Sequence, residues 1–348
     1  MSGARTEVVT VALDGHGAEQ GYGALAEGAR RAAADGIGLR VFGPAGELGL
    51  DGVERIEVVP TAEWISNEED PVPAVRGRPE ASVVRAAADV AGGRSAAMVS
   101  AGSTGAAMAA ATFGLRRLKG VQRPALAARL PVPGGPVLFL DVGANAEVRA
   151  QHLVQFAFLG AAFSAAVLAV ERPRVALLSV GEESGKGREE VVEAHALLAA
   201  ADGIEFHGNV EGGDIPAGAA DVVVTDGFTG NVALKLMEGT ARTVAGAIGD
   251  AARSNPLAAA GGLMMRPALG AIRRRLHPDS TGGAVLLGLR SPAVVAHGSA
   301  GPDGIANAVR LAARCAEVDA IGRTAALLEA GGAGRGSLAR RSPDPAGP

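Results

Sequence analysis

The feature of this sequence that most constrains its fold is an alternation between short β-branched runs and longer runs rich in Ala and Leu. Val8–Leu13 has the composition of a strand, Tyr22–Ala34 that of a helix, and the pattern continues along most of the chain. Strands that alternate with helices form βαβ units and a mainly parallel sheet. Uninterrupted apolar strands such as Asp221–Thr225 indicate a sheet covered on both faces. We therefore expect an α/β fold: a doubly wound, mainly parallel sheet flanked by helices.

The alternation predicts one large domain over residues 1–330 with one insertion, at about 253–280. Within it, Asn255–Pro278 is apolar and carries two adjacent Met and four Arg. It predicts a protruding helical hairpin that turns at Gly261–Gly262 and Pro267. Such a hairpin is either part of a dimer interface or an amphipathic surface that contacts lipid or an acidic partner. Residues 331–348 are rich in Gly, Arg, Ser and Pro and predict a disordered tail.

The composition excludes several classes of protein. With 33 basic and 37 acidic residues the net charge is −4, which argues against a general nucleic-acid binder. The single cysteine, Cys315, excludes an intramolecular disulfide and a cysteine-based zinc site, and its apolar surroundings predict a core position. No 18-residue apolar run and no signal-like N-terminus are present, so we expect a cytoplasmic protein. No metal-ligand cluster is visible, and no cofactor is expected.

Glycine-rich loops follow several predicted strands, where doubly wound sheets bind their ligands. Ala101–Gly105 precedes a helix, so its backbone N–H groups and the hydroxyls of Ser103 and Thr104 could bind an anion. The alternative is a plain glycine turn with a Ser or Thr helix cap.

The other loops combine Gly with Asn and one Lys. Asn145, Asn209 and Asn231 all lie near predicted strand ends, and Lys186 stands between Gly185 and Gly187. The chain has only three lysines, so a glycine-flanked one is notable. Such a lysine can reach a phosphate or a developing oxyanion, although a solvated turn would look the same. Together these loops suit a phosphorylated or thioester carbonyl compound.

One motif near the N-terminus points elsewhere. Gly15, Gly17 and Gly21 form a GxGxxxG pattern, and Asp35 lies 20 residues after the first glycine. This is close to the dinucleotide-binding fingerprint, so a nicotinamide site is an open alternative.

Taken together, the loops resemble the PlsX family of bacterial phosphate acyltransferases (acyl-ACP–phosphate transacylases) over about residues 8–325. The stretches that carry the resemblance are Ser100–Ala106, Arg123–Ala125, Asp141–Asn145, Gly181–Gly187, Gly208–Glu211, Asp226–Asn231, Leu234–Gly239, Gly282–Gly283 and His297–Ser299. The chain departs from the family at Asp14–Glu19, where the family has Asp-Ala-Met-Gly-Gly-Asp. Ser103 replaces the asparagine of the family's Gly-Asn-Thr-Gly.

The resemblance implies that inorganic phosphate attacks the thioester of acyl-ACP and gives acyl phosphate and free carrier. It implies a fold like that of phosphotransacetylases and isocitrate dehydrogenases, a homodimer, and peripheral association with the membrane. The product would feed a membrane glycerol-phosphate acyltransferase. No enzyme nucleophile is needed, only an anion cradle and donors for the tetrahedral oxyanion.

Carried onto this chain, the resemblance gives the catalytic roles to Lys186, which would neutralise charge, and Asn231, which would donate to the thioester oxygen. The residues implied to bind substrate or phosphate are Ser103, Thr104, Gly105, Asn145, Asn209, Asp226 and His297. Asp14 and Gly17 belong to the first loop. Asp14, Asp141 and Asp226 could instead be structural anchors, and His297 either a proton donor or an ordinary loop histidine.

The resemblance also implies two surfaces. The acidic carrier would dock on Arg273, Arg274 and Arg275, or on a second basic patch formed by Arg116, Arg117, Lys119 and Arg123. The membrane would contact Leu263, Met264 and Met265.

Three other functions stay open on the sequence alone. A phosphotransacetylase-like enzyme would use a CoA thioester and ignore the carrier and the membrane. A dehydrogenase would need the first loop to hold a nicotinamide dinucleotide. A non-catalytic carrier-binding paralogue would explain the two departures from the family.

Overall fold

The structure, a computed structural model, describes residues 8–276 and 278–334, and their side chains except those of 271–278. Within these residues one eleven-stranded sheet has the order β3-β2-β1-β4-β11-β10-β5-β6-β9-β7-β8. The strands are β1 Thr10–Asp14, β2 Gly38–Gly43, β3 Ile56–Pro60, β4 Ala97–Ser100, β5 Ala125–Leu130, β6 Val137–Leu140, β7 Arg174–Leu178, β8 Glu205–Val210, β9 Val222–Val224, β10 Ala284–Leu287 and β11 Ala293–Val295.

Helices connect most of these strands. They are α1 Gly21–Ala34, α2 Ala45–Leu48, α3 Pro71–Gly77, α4 Ser82–Ala91, α5 Thr104–Leu115, α6 Ala150–Val167, α7 Glu189–Ala199, α8 Asp214–Ala217, α9 Gly227–Ala251, α10 Pro256–Leu276, α11 Pro302–Glu317 and α12 Ala320–Ala330. A short 3-10 turn occupies Pro278–Ser280.

The sheet is parallel within each of two halves, and the halves run in opposite directions. Strands β3, β2, β1, β4 and β11 are mutually parallel, as are β6, β9, β7 and β8. Between them β10 pairs antiparallel with β11 and with β5, and β5 pairs antiparallel with β6. Three antiparallel pairings reverse the direction, so the two halves end their strands at opposite edges of the sheet.

Two apolar layers cover the sheet, which confirms the predicted doubly wound fold. One layer includes Leu25 of α1, Phe156 of α6 and Ile305 of α11, all fully buried. The other includes Val83 of α4 and Ala106 of α5. Continuous apolar strands pack on both faces, as a buried parallel sheet requires.

Helix α6 has the length and hydropathy of a membrane-spanning segment, and it is the only helix among the described residues that does. Its 18 residues, Ala150–Val167, are 89% buried inside the protein. Phe156, Phe158 and Leu159 have no exposed surface. The helix is apolar because helices and strands surround it.

The protruding helical segment is present, but its turn differs from the prediction. Helix α9 runs to Ala251, and α10 continues unbroken through Gly261, Gly262 and Pro267. The real start signal is Asn255-Pro256: the Asn255 Oδ1 atom accepts a 2.8 Å hydrogen bond from the Ala258 N–H, and proline suits the first helical position. One helix, α10, therefore spans the segment in which the prediction placed a turn.

The first residues of the predicted tail are packed against α6. Ala333 is 1% exposed, and its carbonyl accepts a 2.9 Å hydrogen bond from the Gln155 side chain. Gly331 lies against the Phe158 ring, where a Cβ atom would clash. Residues 331–334 thus pack on α6, and 335–348 lie outside the described residues.

Candidate functional site at the second edge of the sheet

The predicted site residues fall at two edges of the sheet. Asp14, Ser100 and Val295 share one level, here called the first edge. Asp141 directly follows β6 at the opposite edge, here called the second edge, beside the ends of β9 and β7. Strands β1 and β6 are five positions apart, about 24 Å along the sheet at ordinary strand spacing. No hydrogen bond of the described residues joins the two groups of loops.

At the first edge, Asp14 is an anchor. Its buried carboxylate accepts hydrogen bonds from Ser82 Oγ at 2.6 Å, Ser100 Oγ at 2.7 Å and the His16 N–H at 3.3 Å. Burial raises the pKa of Asp14. Gly17 has φ +77°, and a Cβ there would lie 3.0 Å from Gly102 Cα, so this loop requires glycine. The departure from the family at His16 leaves the anchor in place.

The first-edge residues expected to bind phosphate are only partly free. Ser103 is the N-cap of α5, and its Oγ accepts from the Ala106 N–H at 3.4 Å. Thr104 is exposed, and Gly105 packs on Pro71, where a Cβ would lie 3.0 Å from Cγ. The Nδ1 atom of the exposed His297 is 2.7 Å from Ser299 Oγ. Of the Ser103 and Thr104 hydroxyls, that of Thr104 takes part in no hydrogen bond with the described residues.

The dinucleotide interpretation of the first loop is wrong. In that fingerprint the acidic residue ends the second strand, beside the glycine loop. Here β2 ends at Gly43, whereas Asp35 is the C-cap of α1 and pairs with Arg310 at 2.6 Å. The carboxylate is one helix length away from the glycines, where it cannot bind a ribose held by the loop.

At the second edge, Asp141 is the most heavily bonded carboxylate. Its side chain has no exposed surface and accepts from four backbone N–H groups, those of Leu126, Gly143, Ala144 and Asn145, at 2.8–3.2 Å. The Asn145 amide donates a fifth bond at 2.7 Å. Burial raises the pKa of Asp141, while these donors oppose the shift. Asp141 therefore fixes the shape of the loop.

Two further predicted binding residues, Asn145 and Asp226, also hold protein groups. The Asn145 amide donates to Asp141 and, at 2.8 Å, to the Pro124 carbonyl. Asp226, 2% exposed, caps α9 through the Thr229 N–H at 2.9 Å and also pairs with Arg188. Their polar atoms hold protein groups, which supports the structural alternative for Asp226.

Asn209 lies inside β8 and not in a loop after a strand. It is 5% exposed, its Nδ2 donates to the Glu183 carbonyl at 2.9 Å, and its Oδ1 is 3.0 Å from His195 Nδ1. The strand tolerates this sequence because Gly208 takes φ +97° beside a register shift in the pairing with β7. Asn209 thus fastens the Gly181–Gly187 loop to the sheet.

Lys186 and Asn231, which we call the rim, carry donors that have no partner among the described residues. Lys186 is exposed and forms no ion pair with any described residue, while its carbonyl accepts from Ser179 Oγ at 2.9 Å. Asn231 is half-buried near the start of α9, and its amide has no hydrogen-bond partner among the described side chains and backbone. Arg188 links the two elements because it follows Lys186 and pairs with Asp226, the cap of α9.

Lys235 was not predicted as a site residue. It lies four residues after Asn231 on α9, and it is exposed and unpaired within the described part of the chain. Residues four apart share a helix face. The four-residue spacing from Asn231, together with the scarcity of lysine, could have indicated Lys235 as a site residue.

The remaining predicted residues lie outside the two edges of the sheet. Leu263, Met264 and Met265 are exposed on α10, at 67%, 84% and 56%. The side chains of Arg273, Arg274 and Arg275 lie outside the described residues. Cys315 is buried as predicted, and burial raises its pKa to about 12. In residues 8–276 and 278–334, no three His, Cys, Asp or Glu side chains are grouped to hold a metal ion.

Comparison with known proteins gives one family. Residues 9–323 match the family model described as "Fatty acid synthesis protein". A phosphate acyltransferase of Elusimicrobium minutum is 42% identical over 312 residues, covering 87% of this chain and 91% of its own. One from a Geobacillus species is 42% identical over 316 residues, covering 89% and 96%.

Two solved structures of similar fold are phosphotransacetylases. The EutD phosphotransacetylase of Staphylococcus aureus has a TM-score of 0.57 at 18% identity, covering 89% of this chain and 94% of its own. A phosphotransacetylase of Streptococcus pyogenes has a TM-score of 0.56 at 16% identity, covering 91% and 95%. These two likenesses concern the fold, whereas the sequence matches concern descent. The chain therefore belongs to the family of fatty acid synthesis proteins, as its resemblance to the PlsX enzymes predicted.

Proposed function

We propose that this chain transfers a fatty acyl group from acyl carrier protein to inorganic phosphate, giving acyl phosphate and free carrier thiol. Its relatives are named phosphate acyltransferases and cover most of the chain. The observation that carries the proposal is a pair of donors without a partner among the described residues. Lys186 lies on the loop that Asn209 fastens, and Asn231 lies near the start of α9, which Asp226 caps.

In the proposed reaction a phosphate oxygen attacks the thioester carbonyl carbon. A tetrahedral oxyanion forms, the carbon–sulfur bond breaks, and the thiolate leaves with the carrier. Asn231 Nδ2 would donate to the carbonyl oxygen, where charge develops, and the Lys186 ammonium would offset the charge of phosphate and oxyanion. The residues supply orientation and electrostatics, and no side chain forms a covalent intermediate.

The first test is release of free carrier thiol from palmitoyl-ACP with and without inorganic phosphate. Phosphate-dependent release with an acyl phosphate product is expected. Release from a CoA thioester but not from ACP would favour the phosphotransacetylase-like alternative. No release from either would favour the non-catalytic alternative.

We further propose a homodimer. Helix α9 exposes Phe228, Val232 and Leu236 at successive four-residue steps, at 66%, 52% and 68%. A stripe of this kind on a long helix suits burial against a second copy. In such a dimer the Thr104 hydroxyl of one copy could face the Lys186 loop of the other copy. Within one chain, Thr104 and Lys186 lie at opposite edges of the sheet. Light scattering should give twice the chain mass, and Leu236→Glu should give the single mass.

The homodimer also offers a complementation test for the divided site. Thr104→Val and Lys186→Ala each remove one edge. If one site draws on both copies, co-expression of the two variants restores about a quarter of wild-type turnover. Two independent sites would restore nothing.

We propose a cytoplasmic enzyme that docks on the membrane through α10. Leu257, Leu263, Met264 and Met265 are all more than half exposed on a helix that projects from the sheet. Apolar side chains on such a helix enter the lipid interface. The wild type should pellet with anionic phospholipid vesicles. The triple variant Leu263→Gln, Met264→Gln, Met265→Gln should stay in the supernatant. Equal sedimentation of both would contradict the contact.

The docking of acyl carrier protein, and delivery of the product to a membrane glycerol-phosphate acyltransferase, complete the proposal. Arg116, Arg117, Lys119 and Arg123 are all exposed near the second edge. Rim cations of this kind speed association with an acidic partner. The KM for acyl-ACP should rise with ionic strength.

A further inference from the structure

A cavity of about 360 Å³ lies beside the N-terminus of α6, apart from Lys186 and Asn231. Its lining is Arg117, Gln122, Arg123, Arg149 and His152, and we call it the arginine pocket. It lies at the second edge, because Arg117 bridges to Leu289 just after β10 and Arg123 precedes β5.

No carboxylate of the described residues forms an ion pair with the arginines of this pocket. Three of its five lining side chains are guanidinium groups, and none is a carboxylate. Arg117 donates to the Gln122 carbonyl, and Arg123 donates to the Glu147 carbonyl at 2.9 Å. The Arg149 guanidinium forms no ion pair or hydrogen bond with the described residues. By contrast, Arg174 makes a multiple contact with Asp221.

His152 adds a donor. Its Nδ1 accepts a 3.1 Å hydrogen bond from the Arg149 N–H, so the neutral ring carries its proton on Nε2. Burial, and then Arg123 and Arg149, lower the pKa of His152 to about 4. The ring is neutral at physiological pH, and the charged and imidazole groups of the lining all donate.

A pocket lined in this way selects a compact, multiply charged anion. Guanidinium groups match the geometry of phosphate oxygens, and the first turn of the 18-residue α6 adds its own positive field. We propose that the arginine pocket binds a phosphoryl group, either inorganic phosphate or the phosphate ester of the thioester donor's pantetheine arm. The second source rests on the proposed function, whereas the first does not.

The pocket adjoins the candidate site through one loop. Asn145 donates to the carbonyl of Pro124, the neighbour of Arg123, and Gly227 donates to the Asn145 carbonyl at 2.7 Å from the start of α9. A phosphate ester held in the pocket would therefore lie on the far side of the Asp141 loop from Asn231. The loop could transmit occupancy of the pocket to the rim.

Calorimetric titration of the full chain tests the proposal. The probes are inorganic phosphate, 4′-phosphopantetheine and pantetheine, which lacks the phosphate. Binding of at least one phosphate-bearing probe, but not of pantetheine, is expected. Tighter binding of phosphopantetheine would assign the pocket to the donor, and tighter binding of free phosphate would assign it to the acceptor.

Arg149→Gln should weaken that binding at least tenfold, since it removes a guanidinium that has no ion pair among the described residues. Arg116→Gln is the matched control, because Arg116 is the exposed neighbour of Arg117 but does not line the pocket. It should change the affinity less than twofold. No phosphate binding by the wild type, or equal binding by Arg149→Gln, would overturn the proposal.

A second readout separates the pocket from other anion sites. A bound phosphate offsets the neighbouring guanidinium charges, so the pKa of His152, followed by nitrogen NMR, should rise by at least one unit. The exposed His207 is the control and should not move. Binding needs no turnover: phosphate binding with no acyl transfer would keep the pocket and refute the function, and acyl transfer without binding would do the reverse.

Discussion

The two edges of the sheet use polar residues differently. At the first edge, Asp14, Ser82 and Ser100 satisfy one another, Ser103 caps a helix, and His297 contacts Ser299. At the second edge, an equally buried anchor, Asp141, supports a rim whose donors have no partner among the described residues. Polar groups that complete each other stabilise a fold, whereas unpaired donors beside them are available to a ligand. Thr104 at the first edge also has a hydroxyl without a described partner, but Lys186 and Asn231 both lie at the second edge. We therefore propose that catalysis centres on the second edge.

The largest expected effect is on stability, at Asp141. Asp141→Ala leaves four backbone N–H groups and one amide without their acceptor, so the free energy of unfolding should fall by about 4 kcal/mol. Asp14→Ala, with two rotatable hydroxyls among its three donors, should lose about 2 kcal/mol. Urea denaturation measures both, with the exposed Asp250→Ala as control. Equal losses at Asp14 and Asp141 would remove the distinction between their loops.

The next effect is on turnover, with stability left unchanged. Lys186→Ala should lower kcat about 100-fold, because the ammonium compensates charge that grows in the transition state. Its unfolding free energy should change by less than about 0.5 kcal/mol, since Lys186 has no ion pair with a described residue to lose. Arg172→Ala, exposed and outside both the rim and the basic patch, is the control and should keep wild-type kcat. A fully active Lys186→Ala enzyme would move catalysis away from the second edge.

The third effect concerns pH. His152 has a pKa of about 4 in the folded protein and about 6.5 when unfolded, so the unfolded chain binds a proton that the folded chain does not. Between pH 7 and pH 4 the free energy of unfolding should therefore fall by up to about 3 kcal/mol from this group. His152→Gln should remove that component, whereas His297→Gln at the first edge should leave it. An unchanged pH slope in His152→Gln would contradict the buried neutral ring.

The smallest effect tests the first edge. Ser103→Ala removes a helix cap and should cost about 1 kcal/mol of unfolding free energy. Because its hydroxyl oxygen already serves the helix, the KM for phosphate should change less than threefold. A tenfold rise would bring Ser103 into the active site and favour a site shared between two copies.

The sequence predicted the local elements better than their long-range arrangement. Alternating composition located strands such as Val8–Leu13 because burial dictates residue type locally. The antiparallel pairings of β5 and β10 depend on contacts far apart in sequence, and no local pattern gave the reversal that separates Asp14 from Asp141. Asn209 was misplaced for a related reason, since a glycine-containing stretch resembles a loop even when a sheet neighbour makes it a strand.

The candidate site, like the fold, was predicted from the sequence only in its local features. The presence of Lys186 and Asn231 in glycine-rich stretches was visible in the sequence, and so was their chemistry. Which neighbouring polar residues are occupied was not, because Asn145 and Asp226 have the same composition whether they bind protein or substrate. The arginine pocket was missed because Arg149 and His152 meet Arg117 and Arg123 only in the folded chain.

The place of β11 in the sheet has a consequence for biosynthesis. Strand β11 lies between β4 and β10, yet β4 ends at Ser100 and β11 begins at Ala293. The first half of the sheet therefore emerges from the ribosome with an open edge at β4, which stays unpaired until almost the whole chain has been made. Open strand edges are where nascent chains mispair, and such distant pairings close slowly. Truncations that end before residue 293 should aggregate, whereas those that remove only residues 335–348 should stay soluble.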